Sequence, residues 1–334
     1  MSANQRVHGG PDALGALLYD FSTNSNACGP CPQALAAVKA SDATRYPDAS
    51  YTALRSALAL FHAVEPWRIV LAGSASEFIF RITAWVRQQG GLTVSLPQHA
   101  YGDYAYAAQA WGLEAATNSD LANLVWACEP SSPLGQAHTH WPRWIVSQEA
   151  NDSTAQTSPL VLDCAYAPLR LSGATSLNAA QLESVWQLFS PNKSLGLTGV
   201  RAAYAVAPLG AEVAVQQLNV LAPSWVVGAH GVALLTAWTQ ADVQAWLAQS
   251  LVTLRQWKAM QIAQLSALGW VCLPSEANYF CARPPVTIQV DALCARIRAH
   301  GIKLRDATSF GLPGWVRLGV LSPEAQVTLF ARSE

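Results

Sequence analysis

Short runs of apolar, strand-forming residues alternating with helical stretches constrain this chain more than any other feature. Arg68–Ala72 (RIVLA), Leu92–Leu96 (LTVSL), Asn123–Cys128 (NLVWAC), Leu160–Asp163 (LVLD), Val185–Phe189 (VWQLF) and Ala202–Ala207 (AAYAVA) are nearly continuous in their apolarity. A strand with one wet face alternates polar and apolar residues. A strand apolar on both sides must be covered on both faces, and helices between successive strands supply that cover. The pattern predicts an α/β fold with a mostly parallel, mixed central sheet covered by helices.

The first inter-strand helix is expected from about Ser76 to Gln88, directly after a Gly-Ser turn, and the Gly/Pro-rich segment Asn26–Pro32 reads as a loop. From Trp225 to about Leu268 the pattern is helical, long and amphipathic. Beyond it, Tyr279–Ala282, a helix near Asp291–His300, a strand at Ile302–Leu304 and the run Trp315–Val320 read as a small α+β unit. Two domains are therefore expected. A large α/β domain covers residues 30–235, and a small domain is formed by residues 1–29 and 236–334.

Composition narrows the function classes. With 51% hydrophobic and only 12% charged residues the chain is not a disordered one. The formal net charge of −1, with acids and bases interspersed, leaves no basic patch for nucleic acid or a membrane surface. The first ten residues lack a signal peptide's apolar core, and the apolar stretch Trp225–Trp238, interrupted by His230, is shorter than the roughly 20 residues a bilayer span needs. The seven cysteines, an odd number with several in apolar runs, read as reduced, cytoplasmic usage.

Four features carry chemistry. Gly73-Ser-Ala-Ser-Glu77 joins a strand to a helix, and small residues there let helix-start N–H groups approach an anion; an ordinary serine-capped turn has the same residues. Asp163 ends an apolar strand, with Tyr166 close behind; the position suits a carboxylate facing a pyridinium nitrogen, or a turn cap. Lys193 is one of only four lysines and lies in Ser190-Pro-Asn-Lys-Ser-Leu-Gly-Leu-Thr-Gly-Val-Arg201, after an apolar strand. Desolvation there lowers an amine's pKa and frees it to attack a carbonyl, and Arg201 offers a fork for a phosphate; a lone Lys-Arg pair in a solvated loop looks alike. Arg317, in Gly314-Trp-Val-Arg-Leu318, sits in an apolar run and needs an anionic partner, from protein or ligand.

Read together and in this order, these blocks resemble the fold-type I, aminotransferase-like pyridoxal-phosphate enzymes over nearly the whole chain. The most specific element is the Ser-x-Asn-Lys-x5-Gly-x-Arg block at 190–201, thirty residues after Asp163-x2-Tyr166. Within that superfamily the chain resembles the branch of threonine-phosphate decarboxylase and histidinol-phosphate aminotransferase. His8-Gly-Gly10, Asp20-Phe-Ser-Thr-Asn24 and Leu304-Arg-Asp-Ala-Thr-Ser-Phe-Gly311 are similar to blocks of the decarboxylases.

The resemblance implies pyridoxal 5'-phosphate as cofactor and Lys193 as its Schiff-base lysine. It puts the cofactor phosphate on Arg201, Ser190 and the backbone of Ala75, Ser76 and Glu77. Asp163 faces the ring nitrogen, Tyr166 the ring oxygen, and Tyr101 stacks on the ring. Tyr46 reaches the phosphate of a partner subunit, so a homodimer with active sites at the subunit interface is implied. Arg317 holds a substrate carboxylate and Arg305 a substrate phosphate, with His8, Asn24 and Asn278 also on the substrate side. The family's Asn-Pro-Thr-Gly turn, whose asparagine hydrogen-bonds the ring oxygen, reads Ser132-Pro-Leu-Gly135, so the resemblance puts Ser132 among the cofactor-binding residues. The resemblance implies a lyase acting on threonine phosphate in cobalamin synthesis. The alternatives are an aminotransferase of the histidinol-phosphate type and a non-catalytic cofactor-binding relative. Cys28-Gly-Pro-Cys31 follows a polar turn rather than a strand, and is read as part of a substrate-side loop, not a redox motif. His138-Thr-His140 lacks neighbouring acidic or cysteine ligands, and no metal is expected.

Overall fold

The computed structural model describes residues 9–15, 17–146 and 158–331. A short strand β1 (Tyr19–Asp20) precedes the central sheet. That sheet contains β2 (Ile69–Ala72), β3 (Thr93–Ser95), β4 (Glu114–Ala115), β5 (Leu124–Cys128), β6 (Leu160–Asp163), β7 (Trp186–Phe189) and β8 (Ala203–Val206), in the order β2-β8-β7-β6-β5-β3-β4. β8 runs antiparallel to both β2 and β7, and the other pairings are parallel. The sheet is thus the mixed, mostly parallel one that the apolar runs predict. β2, β5, β6 and β8 are buried at every position.

Each strand feeds two cores because its side chains alternate between faces. On β2, Ile69 and Leu71 enter one cluster with Tyr204 and Val206, while Val70 and Ala72 enter another with Phe78, Trp126 and Leu188. The helix Ala75–Gln88 packs Phe78, Ile79, Ile82 and Val86 into the second cluster, at the spacing that keeps one helical face inward. Its start is set by Ser74, whose hydroxyl accepts the Glu77 N–H at 3.1 Å.

The long helical pattern of residues 225–268 resolves into two helices, Ala229–Trp238 and Ala241–Ala267. The break has a local cause. The Thr239 hydroxyl and the Gln240 side-chain amide both donate to the Thr236 carbonyl, and Gln240 adopts extended backbone.

The C-terminal part forms a second, antiparallel sheet from β9 (Val271–Cys272), β10 (Tyr279–Arg283), β12 (Arg305–Asp306) and β13 (Val316–Gly319), in the order β12-β13-β10-β9. Between them, β11 (Ile302–Lys303) pairs in parallel with β1, which brings the N-terminal residues beside the C-terminal strands. One hydrophobic cluster runs from Ile69 and Tyr204 of the central sheet to Phe280 and Leu318 of the small one. The two sheets therefore share one core, and a cleft lies between their strand ends. Among the described residues, no helix is long and apolar enough to cross a membrane.

Candidate active site

The cleft is a cavity of about 510 Å³ at the carboxyl ends of β5, β6 and β7, closed on its other side by β12, β13 and the N-terminal segment. Loops at strand ends are free to vary while the strands hold them still, which is why α/β sheets build sites there. Of the residues singled out in the sequence, Asn24, Ala75, Ser76, Tyr101, Ser132, Asp163, Tyr166, Ser190, Lys193, Arg201, Arg305 and Arg317 line this cavity.

Lys193 is half-buried in the turn that follows β7. Its carbonyl accepts the Asn26 N–H at 2.9 Å and the Gly196 N–H at 3.2 Å, while Leu197 N–H bonds the Asn192 carbonyl at 2.8 Å. Gly196 is required twice over: its φ is +68°, and a Cβ there would stand 2.6 Å from the Gly29 carbonyl oxygen. The turn therefore fixes the root of the lysine, whose Nζ lies 5.5 Å from the centre of the Tyr166 ring.

Asp163 ends β6 and is buried. Its two oxygens accept from the Tyr104 hydroxyl at 2.6 Å and the Ala165 N–H at 2.9 Å. Burial pushes this carboxyl up from its ordinary value, against the pull of those two hydrogen bonds and of the Lys193 charge. A buried carboxylate so placed is completed by a cation. Tyr104, stacked on Trp126 at 4.4 Å, is part of the site although the sequence reading singled out only Tyr101 from the same block. The signal was its spacing: Tyr101 caps the helix Gly102–Trp111, and a residue three further on shares its face.

Small and polar groups gather where the resemblance puts the cofactor phosphate. Ser190 presents a buried hydroxyl that has no partner among the described residues. Ala75 and Ser76 open a helix, so their N–H groups have no carbonyl one turn back. Ser76 and Tyr101 hydroxyls meet at 3.2 Å, and Arg201 stands at the exposed rim. Glu77 differs from its neighbours. Its N–H goes to Ser74 and its carboxylate to Arg81 at 3.0 Å, so neither faces the cavity. Asn278 is buried behind the wall, donating to the Ser25 carbonyl at 3.1 Å. Tyr46 is 76% exposed and stacks on Trp225 at 4.3 Å, away from this cavity. His8 lies outside the described residues.

On the opposite wall, Arg305 and Arg317 are direct cross-strand partners on β12 and β13, and both are buried. Arg317 donates through Nη2 to the Ser22 carbonyl at 2.9 Å and through Nη1 to the Ser132 hydroxyl at 3.2 Å. Arg305 donates to the Ser309 hydroxyl at 2.6 Å and to the Asp306 carbonyl. Both guanidinium carbons lie over the Phe310 ring, at 4.6 Å for Arg305 and 5.3 Å for Arg317. Burial and the neighbouring Arg317 charge bring the Arg305 pKa down to about 10. Like charges facing each other across a ladder oppose folding, and an anion between the two would relieve that. Ser22, Ser309, Phe310 and Gly9 line this wall and were not singled out individually. They sit inside or beside blocks the sequence does single out.

The remaining sequence signals fall elsewhere. Cys28 and Cys31 are both free thiols; Cys31 opens the helix Pro32–Ala40, and burial raises the Cys28 pKa. His138 packs edge-on against Trp141 at 4.6 Å. Among the described residues no group of three or more histidine, cysteine, aspartate or glutamate side chains is close enough to hold a metal.

The residues present fit pyridoxal phosphate. An unpartnered hydroxyl and two helix-start N–H groups would suit a phosphate, a buried carboxylate would suit a protonated ring nitrogen, and a lysine amine lines the same cavity. Known proteins agree. The sequence is 27% identical over 333 residues to a histidinol-phosphate aminotransferase of Symbiobacterium thermophilum, covering 92% of this chain and 87% of that one. The fold matches a crystal structure of histidinol-phosphate aminotransferase from Sinorhizobium meliloti in complex with pyridoxal-5'-phosphate, with a TM-score of 0.78 at 21% identity, over 95% of this chain and 90% of that one. It also matches L-threonine-O-3-phosphate decarboxylase from Porphyromonas gingivalis, with a TM-score of 0.75 at 19% identity, over 94% and 98% of the two chains. The profile of the family described as aminotransferase class I and II matches residues 18–333, nearly the whole sequence, so the chain belongs to that family of pyridoxal-phosphate-dependent enzymes.

Proposed function

We propose that this enzyme acts on a compact phosphorylated amino acid and removes its carboxylate, as a threonine-phosphate decarboxylase does. The observation that carries the reading is the buried pair Arg305 and Arg317, set opposite one another over a single phenylalanine ring in the cavity that holds Lys193. Two guanidiniums so close suit a ligand whose two anionic groups are a few bonds apart. Histidinol phosphate carries one such group and would leave one arginine without an anion.

Pyridoxal phosphate, when bound, supplies an electron sink for the pair left behind as a bond to the substrate Cα breaks. Lys193 is the residue that would hold it, with Ser190, Arg201 and the N–H groups of Ala75 and Ser76 on its phosphate. Asp163, kept in place by Tyr104 and Ala165, would hold the ring nitrogen protonated. Tyr166, whose hydroxyl accepts from Asn24 at 3.3 Å, would sit by the ring oxygen. Arg317 grips the carboxylate and Arg305 the phosphate. With both ends held, rotation about Cα is fixed, and that decides which bond breaks. In the decarboxylation the Cα–carboxylate bond would break with loss of carbon dioxide, and Lys193 would give Cα the proton that takes its place.

Transamination of histidinol phosphate is the second reading, favoured by the relatives at 27% identity. Arg317 would then serve the carboxylate of the amino donor. In either case we propose a cytoplasmic homodimer in which the exposed Tyr46 reaches the partner's cofactor phosphate. The cofactor residues would fall in a large domain at 30–235.

The test is to incubate the holoenzyme with O-phospho-L-threonine, and separately with histidinol phosphate plus 2-oxoglutarate. Carbon dioxide from the first without glutamate from the second is expected. Glutamate formation overturns the decarboxylase in favour of the transaminase, and inertness toward both sinks both. Lys193→Ala should lose the yellow, borohydride-reducible chromophore; retention of it would unseat Lys193.

A further inference from the structure

The turn Ser131–Gln136 springs from the end of β5 in the central sheet, yet its bonds lead to the small sheet. The Tyr279 hydroxyl donates to the Ser131 carbonyl at 2.8 Å, and the Cys281 thiol to the Pro133 carbonyl at 3.4 Å. Glu276 N–H bonds the Gly135 carbonyl at 2.6 Å, and the Gln136 amide donates to the Pro274 carbonyl at 3.0 Å. Tyr279 and Cys281 lie on β10, and Cys281 is the cross-strand neighbour of Arg317 on β13. The turn is therefore tied to the sheet that carries the arginine as well as to its own, where Glu129 N–H bonds the Asp163 carbonyl at 3.2 Å.

Within it, Ser132 is buried, and its hydroxyl meets Arg317 Nη1 at 3.2 Å. On the other side of the guanidinium, Nη2 is taken by the Ser22 carbonyl at 2.9 Å. A planar fork held at both terminal nitrogens cannot roll about its own axis. We infer that Ser132 is a positioning residue for Arg317, setting the plane in which that guanidinium meets a carboxylate, and that it is not a ligand of the cofactor. The inference rests on Arg317 being the carboxylate holder of the proposed function. The Ser132 oxygen accepts from Arg317, which turns this short side chain to the substrate wall; its own O–H proton is not used by that bond, and the cofactor's spectrum decides whether it meets the cofactor.

The experiment uses the holoenzyme with two probes, O-phospho-L-threonine and its decarboxylated counterpart, 1-aminopropan-2-yl phosphate. Ser132→Ala should weaken the first by roughly ten- to a hundredfold, the loss expected for one hydrogen bond to a charged group, with the effect in KM more than in kcat. Affinity for the second, which has no carboxylate, should stay within about twofold. Ser132→Thr, which keeps the hydroxyl, should restore the first. The absorbance maximum of the bound cofactor, its pH titration and its dissociation constant should match wild type. A displaced titration or a loosened cofactor in Ser132→Ala makes Ser132 a cofactor ligand and overturns the inference, as does equal weakening of both probes. If Ser132→Ala does not fold, Ser132→Cys fills the same space with a weaker hydrogen-bonding group and is read the same way. If wild type binds neither probe, the proposed substrate is wrong. The Ser132 assignment is then decided by the spectral titration, where identity with wild type sustains it and a shift removes it.

Discussion

Tyr104→Phe removes one oxygen from a site where its loss is legible. The ring stays stacked on Trp126, so packing is kept and only the 2.6 Å hydrogen bond to Asp163 goes. Both partners are buried, and water does not replace the hydroxyl. A hydrogen bond to a charged group contributes about 1.5–3 kcal/mol, and that is the expected loss of stability of the cofactor-free protein at neutral pH. The effect must depend on pH with a definite sign. Asp163 is already raised by burial, so its folded-state pKa lies above its unfolded one. Its stabilising contribution is then fully present in acid and is lost as pH rises through the folded value. Removing Tyr104 takes away one of the bonds that favour the ionised form and raises that pKa further. The gap between wild type and variant should therefore be small in acid and open as the carboxyl ionises. Urea unfolding of both proteins between about pH 4 and pH 8 measures it. A gap that is constant across that range, or below about 0.5 kcal/mol at neutral pH, would refute the claim that Tyr104 supports the ionised carboxylate.

A Cβ on Gly9 would lie 2.2 Å from the Ser22 carbonyl oxygen, the acceptor of Arg317 Nη2. Gly9→Ala should thus push the N-terminal segment off the cavity wall, cost about 1–3 kcal/mol and raise KM with the cofactor's absorbance unchanged; an unaltered KM would clear Gly9 of any role in shaping that wall. Lys258 donates to the Ser275 and Ala277 carbonyls at 2.6 and 2.7 Å, yet burial lowers its pKa to about 8. A depressed folded-state pKa gives stability that is present above the ordinary 10.5 and lost as pH falls through about 8. Wild type should accordingly gain on Lys258→Met as pH rises from about 8 to 10.5, and parallel melting curves across that window would contradict the shift.

How much of this was legible in the sequence depends on the range of the interaction. The central strands were readable because a strand buried on both faces must be apolar throughout, and β2, β5, β6 and β8 are. Asp163, Ser190 and Lys193 line one cavity, and that placement was readable because strand ends fix the residues that follow them. The break at Thr239-Gln240 was missed because it turns on side chains that compete for the Thr236 carbonyl, which periodicity does not register.

Pairings between distant segments were decided by tertiary structure alone. Nothing local says that Ser22 and Ser132 meet Arg317 from two sides or that Tyr104 bonds Asp163. Nor does the sequence say that Arg305 and Arg317 face each other, because register between β12 and β13 is set by the whole small sheet. The sequence determined which groups the chain has for its chemistry and on which strands they ride. The fold decided which of them share a cavity, because burial and charge act between residues that only folding makes neighbours.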